Sequence, residues 1–208
     1  MKKKILILSP HTDDGELGCG GTIAKYVDEG YDVYYIAFSA CEESLPPEYE
    51  KDTLVKEAKK ATSVLGIKEQ NIFILKYPVR KFTEFRQDIL EDLIVFKKKL
   101  EPDLVILPNS TDVHQDHIVI HQEGVRAFKD SSILGYELPW NNLMSKNNCF
   151  KSLDKSYIEQ KVKALHCYAS QKGRVYMDQN YIFSLAKTRG TQIKKDYAES
   201  FEVIRWIF

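Results

Sequence analysis

Short apolar runs alternate with longer stretches whose apolar positions recur at helical spacing. Ile5–Leu8, Val33–Phe38, Ile72–Leu75, Leu104–Leu107 and Ile133–Leu138 each predict a buried strand. Leu54, Ala58, Ala61 and Leu65 form a helical stripe that stops at Gly66. Phe85, Ile89, Leu93, Phe96 and Leu100 form another, stopped by Pro102. Gly18 to Glu29, closed by Gly30, predicts the first helix, and His117 to Phe128 the fourth. After Pro139 the pattern weakens. Asn141–Asn148 is polar and reads as a loop, Ile158, Val162, Leu165 and Ala169 suggest another helix, and Phe201–Ile207 reads as a closing strand. Lys187–Gly190, just before that strand, reads as a loop.

Strand–helix alternation of this kind implies right-handed crossovers and a mainly parallel sheet with helices on both faces, a three-layer α/β architecture. The 208 residues suffice for one sizeable core, and no linker, repeat or low-complexity stretch divides them, so residues 1–208 are expected to form a single domain.

Composition narrows the partners. Lys+Arg and Asp+Glu are both 30, which speaks against nucleic acid as the main partner. The four cysteines, Cys19, Cys41, Cys149 and Cys167, are scattered without a Cys-x-x-Cys, as expected of reduced thiols in a cytoplasmic protein. Met1-Lys2-Lys3-Lys4 resembles a secretory leader only superficially, because the apolar run after it is too short and no cleavage site follows. No stretch approaches the roughly 20 apolar residues of a membrane span. Asn109-Ser110-Thr111 matches a glycosylation sequon and is read as chance.

The chemistry concentrates at two strand ends. His11-Thr12-Asp13-Asp14 follows the first strand, and His114-Gln115-Asp116-His117 follows the fourth. In an open α/β sheet, sites form at the carboxyl ends of strands, so one shared site is the economical reading. His11, Asp14 and His117 make a normal zinc set with the fourth position left to water. Any one of them alone would read as a surface carboxylate or a satisfied histidine; it is the pairing of two clusters that favours a metal. Asp13 points elsewhere than its neighbour and is a candidate general base, or an N-cap for the following helix, and the two roles are compatible. His114, three residues before His117, can stabilise an oxyanion or protonate a leaving amine, and Asp116 can fix the tautomer of one imidazole. His121 stands at i+4 from His117, the spacing of a zinc helix, but the accompanying Glu is missing. The run Gly18, Gly20, Gly21 fails both the dinucleotide and the phosphate-loop patterns, so these glycines are expected to let the helix pack closely.

At these residues the chain resembles the LmbE-like, or PIG-L, family of zinc-dependent N-acetylsugar deacetylases. The first family motif is similar to Pro10-His11-Thr12-Asp13-Asp14-Gly15-Glu16-Leu17-Gly18-Cys19-Gly20-Gly21-Thr22, and the second, His-x-Asp-His, to His114–His117. The likeness covers residues 3–130 and, more loosely, Tyr197–Phe201. It implies a Rossmann-like fold, metal ligation by His11, Asp14 and His117, Asp13 as general base and His114 at the oxyanion or leaving amine. Thr12 departs from the usual proline, and Ser39–Pro46 lacks the Gly-Glu stretch and nearby Arg that several members use around the sugar.

The expectation is therefore a zinc hydrolase that removes an acetyl group from a small-molecule amino sugar such as N-acetylglucosamine or from a sugar conjugate, with a homo-oligomer compatible with it. The competing readings are a nucleotide-binding or regulatory module without hydrolysis, and a deacylase of a non-sugar amide. Two segments are candidates for substrate contact: Glu42 and Glu43, as acceptors for sugar hydroxyls, and Arg189, as a clamp for a phosphate or carboxylate.

Overall fold

The computed structural model describes residues 3–208, so the Met1–Lys2 part of the leader-like start lies outside the described residues. A seven-stranded sheet has the order β3-β2-β1-β4-β5-β7-β6. Its strands are β1 Lys4–Ser9, β2 Asp32–Ala37, β3 Ile72–Ile74, β4 Leu104–Pro108, β5 Ser132–Tyr136, β6 Cys149–Leu153 and β7 Tyr197–Arg205. β1 to β5 pair in parallel, whereas β7 runs antiparallel to both β5 and β6. The helices are α1 Asp14–Asp28, α2 Thr53–Val64, α3 Arg86–Leu100, α4 Gln115–Ala127, α5 Lys155–Leu165 and α6 Gln179–Gln192.

The sheet separates two cores. Ile5, Ile7, Tyr35 and Ile106 face the helices α1, α2, α5 and α6, while Leu6, Leu8, Ile36 and Val105 face α3 and α4. Alternate residues of β1 thus enter opposite cores, which is why its apolar run is continuous rather than alternating. β1 has β2 on one side and β4 on the other. The chain after β1 turns into α1 on one face, and the chain after β4 turns into α4 on the opposite face. That is the topological switch point of a doubly wound sheet, where a crevice opens beyond the strand ends.

Three elements after Pro139 depart from the sequence reading. Lys187–Gly190 is not a loop but part of the C-terminal half of α6, whose start is capped by Asp178 accepting from the backbone N–H of Asn180 at 2.8 Å. Only Ile182, Ala186 and Gly190 of α6 are buried, too thin a stripe to register as amphipathic. β6 lies within no predicted strand because it is a short edge strand buried at Leu153 alone. The closing strand begins earlier than its aromatic run suggests, at Tyr197, and Ile207 lies beyond its end. Asn109 of the sequon is 2 % exposed, and its side-chain Oδ1 accepts from Asn142 and Thr111, so it is a structural residue of the loop after β4.

Candidate active site

The loop after β1 and the N-terminus of α4 meet at the switch point. His11 Nδ1 lies 3.0 Å from Asp14 Oδ2, His117 Nε2 lies 3.1 Å from the same oxygen, and the two nitrogens are 3.2 Å apart. The other ring nitrogen of each histidine faces a buried carboxylate. His11 Nε2 is 3.0 Å from Asp116 Oδ2, and His117 Nδ1 is 2.7 Å from Asp112 Oδ2. A neutral imidazole carries one N–H, and a carboxylate takes it. Two imidazole lone pairs and a carboxylate oxygen are then left converging with no proton between them. Such a set repels itself unless something positive sits at its centre.

The titration behaviour expresses the same demand. Burial on its own would lower His11 and His117, but the charge of Asp14 and the facing carboxylates outweigh it and carry them to about 9 and about 10. Asp14 is held well below the usual carboxylate range, since the charges of His117 and His11 outweigh its burial. A divalent cation satisfies the arrangement without those protons. Donors of a tetrahedral zinc at about 2.05 Å are separated by about 3.3 Å, close to the edges of this triangle. The residues therefore fit a metal of this class. The three imidazoles of His11, His114 and His117 also bring nitrogens within 4.8 Å of one another, so His114 is the competitor of Asp14 for the third position.

Asp112 is the residue that sequence reading missed. It sits in the loop after β4, is 5 % exposed, and holds two neighbours at once, accepting from the His114 backbone N–H at 2.9 Å and facing His117. Nothing in its local sequence separates it from a surface loop carboxylate. Carboxylates behind metal-binding histidines typically contribute 10- to 100-fold in metal affinity or activity. Asp112→Asn is accordingly expected to weaken zinc binding by about that factor in a competitive chelator titration, with the fold intact by circular dichroism. Unchanged affinity would remove Asp112 from this role.

The remaining members of the two motifs occupy distinct places. Asp116 is fully buried and serves His11 rather than a histidine of its own helix, while also accepting from the backbone N–H groups of Arg80 at 2.6 Å and Phe82 at 3.3 Å. His114 is the N-cap of α4: its Nδ1 accepts from the Asp116 N–H at 3.2 Å, so Nε2 carries the proton. Burial and the neighbouring His117 and His11 bring its pKa down to about 4, which keeps the ring neutral. Asp13 precedes α1 but makes no side-chain capping bond. Its carboxyl lines the cavity, and burial together with the charge of Asp14 raises it to about 6.

A buried triad positions the Asp13 backbone. The hydroxyls of Tyr35 and Tyr168 lie 3.1 Å and 2.6 Å from the Thr12 carbonyl oxygen, and both also meet the carboxyl group of Glu16. Burial pushes Glu16 up to about 8, against the stabilising effect of the two hydroxyls. Carrying a proton, Glu16 donates to one tyrosine, whose own hydroxyl proton is then free for the Thr12 carbonyl.

The other candidates lie elsewhere. His121 Nδ1 faces the Pro108 carbonyl oxygen at 2.8 Å, outside the histidine cluster. His121→Ala is expected to leave zinc stoichiometry and affinity at the wild-type level, as read by equilibrium dialysis; a clear drop would bring His121 into the ligand set. Glu42 and Glu43 form an exposed 3-10 turn and line a neighbouring surface hollow with Ser39 and Lys76, while Cys41 and Ser44 reach the cavity beside the histidines. Arg189 is spoken for: both its Nε and Nη2 donate to Glu137 at 2.7 Å, and it does not line the cavity.

The glycines next to the first motif serve packing. α1 kinks at Cys19, and the Glu199 carboxylate accepts from the N–H groups of Gly21 at 3.1 Å and Thr22 at 2.7 Å at the start of its second half, with Lys161 bonded to the same group at 2.7 Å. A Cβ on Gly18 would stand 2.3 Å from the Tyr136 ring, and one on Gly21 would stand 2.8 Å from Leu153. The position a nucleotide phosphate would take at a helix N-terminus is filled by the protein's own carboxylate.

The fold places a cluster of two histidines and one carboxylate at the switch point of a mainly parallel α/β sheet. The PIG-L family, described as GlcNAc-PI de-N-acetylase, matches residues 6–128, more than half of the chain, and the chain belongs to it. By class it is an amidohydrolase, an N-deacetylase. It is similar to the uncharacterized deacetylase YaiS of Escherichia coli, with 28% identity over 81% of this chain and 92% of YaiS. Among solved structures, N,N'-diacetylchitobiose deacetylase from Pyrococcus horikoshii superposes with a TM-score of 0.78 at 23% identity, covering 97% of this chain and 84% of that one. The 4-carboxy-2-hydroxymuconate hydratase of Pseudomonas putida superposes with a TM-score of 0.81 at 21% identity over 99% of this chain and 98% of that one. That a hydratase shares the fold shows that the architecture alone does not select the reaction. Among the described residues no helix is long and apolar enough to cross a membrane.

Proposed function

We propose that the protein is a zinc-dependent hydrolase that releases acetate from an N-acetylated amino sugar or sugar conjugate. The observation that carries this reading is the convergence of His11, Asp14 and His117 at 3.0–3.2 Å with their outer nitrogens held by Asp116 and Asp112. Zinc bound by these three residues would polarise the amide carbonyl and lower the pKa of a water to about 7. Asp13, free of capping duty and open to the cavity, takes the proton from the attacking water. His114, neutral and with its proton on Nε2, donates a hydrogen bond to the oxyanion that develops on the carbonyl oxygen. This tautomer favours oxyanion stabilisation over protonation of the amine, because a neutral donor loses its proton only after the ring has been charged. The proton collected by Asp13 is the one available to the departing amine.

The cavity beside the cluster encloses about 340 Å³, within the range of small-molecule sites and large enough for a sugar and part of an aglycone. Its open form suits a hydrophilic substrate that keeps some contact with water. A non-sugar amide would be processed by the same groups, so the substrate panel decides between them. Acetate release from N-acetylglucosamine, its glycosides and a matched set of non-sugar acetamides tests this directly. Preference for the sugar acetamides is expected, and exclusive turnover of non-sugar amides would overturn the sugar assignment.

A further inference from the structure

Part of the cavity wall is built by chain that the family match does not reach. Trp140 and Asn141 follow β5, and Gln171, Arg174 and Tyr176 come from the segment between α5 and α6, all beyond residue 128. This wall is therefore where the chain's own selectivity can reside.

Beyond the cluster its charges are of one sign. Apart from Asp13 and Asp14, the charged residues lining the cavity are Arg80 and Arg174, and Arg174 interacts with Asp13 through charge without pairing with it. Three of the chain's arginines, Arg86, Arg126 and Arg189, are committed to Glu123 or Glu137. Among the described residues, Arg80 and Arg174 have no carboxylate partner within 4 Å.

Arg174 is nevertheless held in place. Its Nη1 donates to the Tyr176 hydroxyl, and its guanidinium lies 5.8 Å from that ring's centroid. Tyr176 stacks on Trp140 with centroids 4.2 Å apart and planes inclined by 12°. The segment itself is anchored to the body of the protein: Ser170 donates through N and Oγ to Glu57 at 3.0 Å and 2.6 Å, and Tyr168 holds the Thr12 carbonyl. An arginine so fixed has given up part of its rotamer freedom while keeping several N–H donors unspent.

Resting on the deacetylase reading, we propose that Arg174, supported by the Tyr176–Trp140 stack, is a specificity residue that binds an anionic oxyacid group, carboxylate or phosphate, carried by the amine-bearing part of the substrate. A guanidinium presents parallel N–H donors that match the two oxygens of such a group, which a hydroxyl of a neutral sugar cannot use as fully. The alternative role for Arg174 is purely electrostatic, since its charge acts on Asp13. The two roles predict different kinetics. Support for Asp13 would affect kcat for every substrate, whereas an anion clamp affects KM for charged ones.

The test uses three N-acetylglucosamine glycosides that differ only in the aglycone, which is methyl, carboxyalkyl or phosphoalkyl. The wild-type enzyme is expected to show the lower KM for one or both charged compounds. Arg174→Ala should raise KM for the preferred charged compound at least 10-fold more than for the methyl glycoside, and Arg174→Lys should recover only part of that loss. The carboxyalkyl and phosphoalkyl arms identify which oxyacid is preferred. Calorimetric binding of the three deacetylated amines to the same proteins is measured in parallel, because it needs no turnover. Absence of turnover with retained, Arg174-dependent binding of the charged amines would contradict the deacetylase reading and sustain the clamp. Equal KM and equal binding for charged and neutral compounds, or an equal effect of Arg174→Ala on all three, would overturn the clamp while leaving deacetylation intact.

Discussion

Asp13→Asn is expected to retain stoichiometric zinc and to lose on the order of 10²–10⁴ in kcat. The amide is nearly isosteric with the carboxylate but cannot accept the proton of the attacking water. Metal retention follows because Asp13 is not one of the groups that close the triangle of His11, Asp14 and His117. Stability should change little, since the Asp13 side chain makes no capping bond to α1. The same group is expected to set the acid limb of the pH profile. Burial and the Asp14 charge raise Asp13 to about 6, so the protonated, inactive form accumulates as pH falls through that value. A bound cation favours the charged form, so in the zinc enzyme the limb is expected at about 6 or below. The limb should vanish from the residual activity of Asp13→Asn. Near-wild-type turnover of this variant with zinc in place would remove Asp13 as the base.

Removal of a proposed metal ligand is expected to have the larger effect on composition. Asp14→Ala or His117→Ala should bring zinc from one per chain to near zero after dialysis against a weak chelator, and turnover with it. Each change also leaves buried partners unmatched. Without Asp14, His11 and His117 lose the charge that they share. Without His117, Asp112 keeps only its bond from the His114 backbone. Circular dichroism therefore accompanies the metal analysis, and Asp14→Asn, which preserves shape, serves as the second variant. If Asp14→Asn keeps full zinc while His117→Ala loses it, the three-imidazole set of His11, His114 and His117 becomes the better assignment, and full zinc in both variants with the fold intact would overturn both sets.

The parallel part of the fold was legible because its strands are buried on both faces and so appear as unbroken apolar runs, as in Ile5–Leu8 and Leu104–Leu107. Those runs also located the switch point, since the two His/Asp motifs follow neighbouring strands β1 and β4. The antiparallel edge was less legible. β6 buries only Leu153, and α6 presents a thin stripe of Ile182, Ala186 and Gly190, so neither carries a strong period. Arg189 read as a loop residue for that reason, although the helix turns it toward Glu137.

The candidate site was legible where its residues are adjacent in sequence and illegible where the fold supplies the neighbour. His11 and Asp116 are far apart in the chain yet lie 3.0 Å apart, so the pairing of that carboxylate with that ring could not be read from spacing. Asp112 and Arg174 are invisible for the same reason. Each acquires its role only from what β4, or the segment between α5 and α6, brings beside it.

Zinc dependence of acetate release is tested most directly by stripping the protein of metal, restoring zinc in graded amounts and following acetate release from N-acetylglucosamine and its glycosides. No release is expected from the stripped protein, followed by a linear return that saturates at one zinc per chain. Acetate release that persists without metal, or full zinc binding with no release from any N-acetylated sugar, would contradict that expectation.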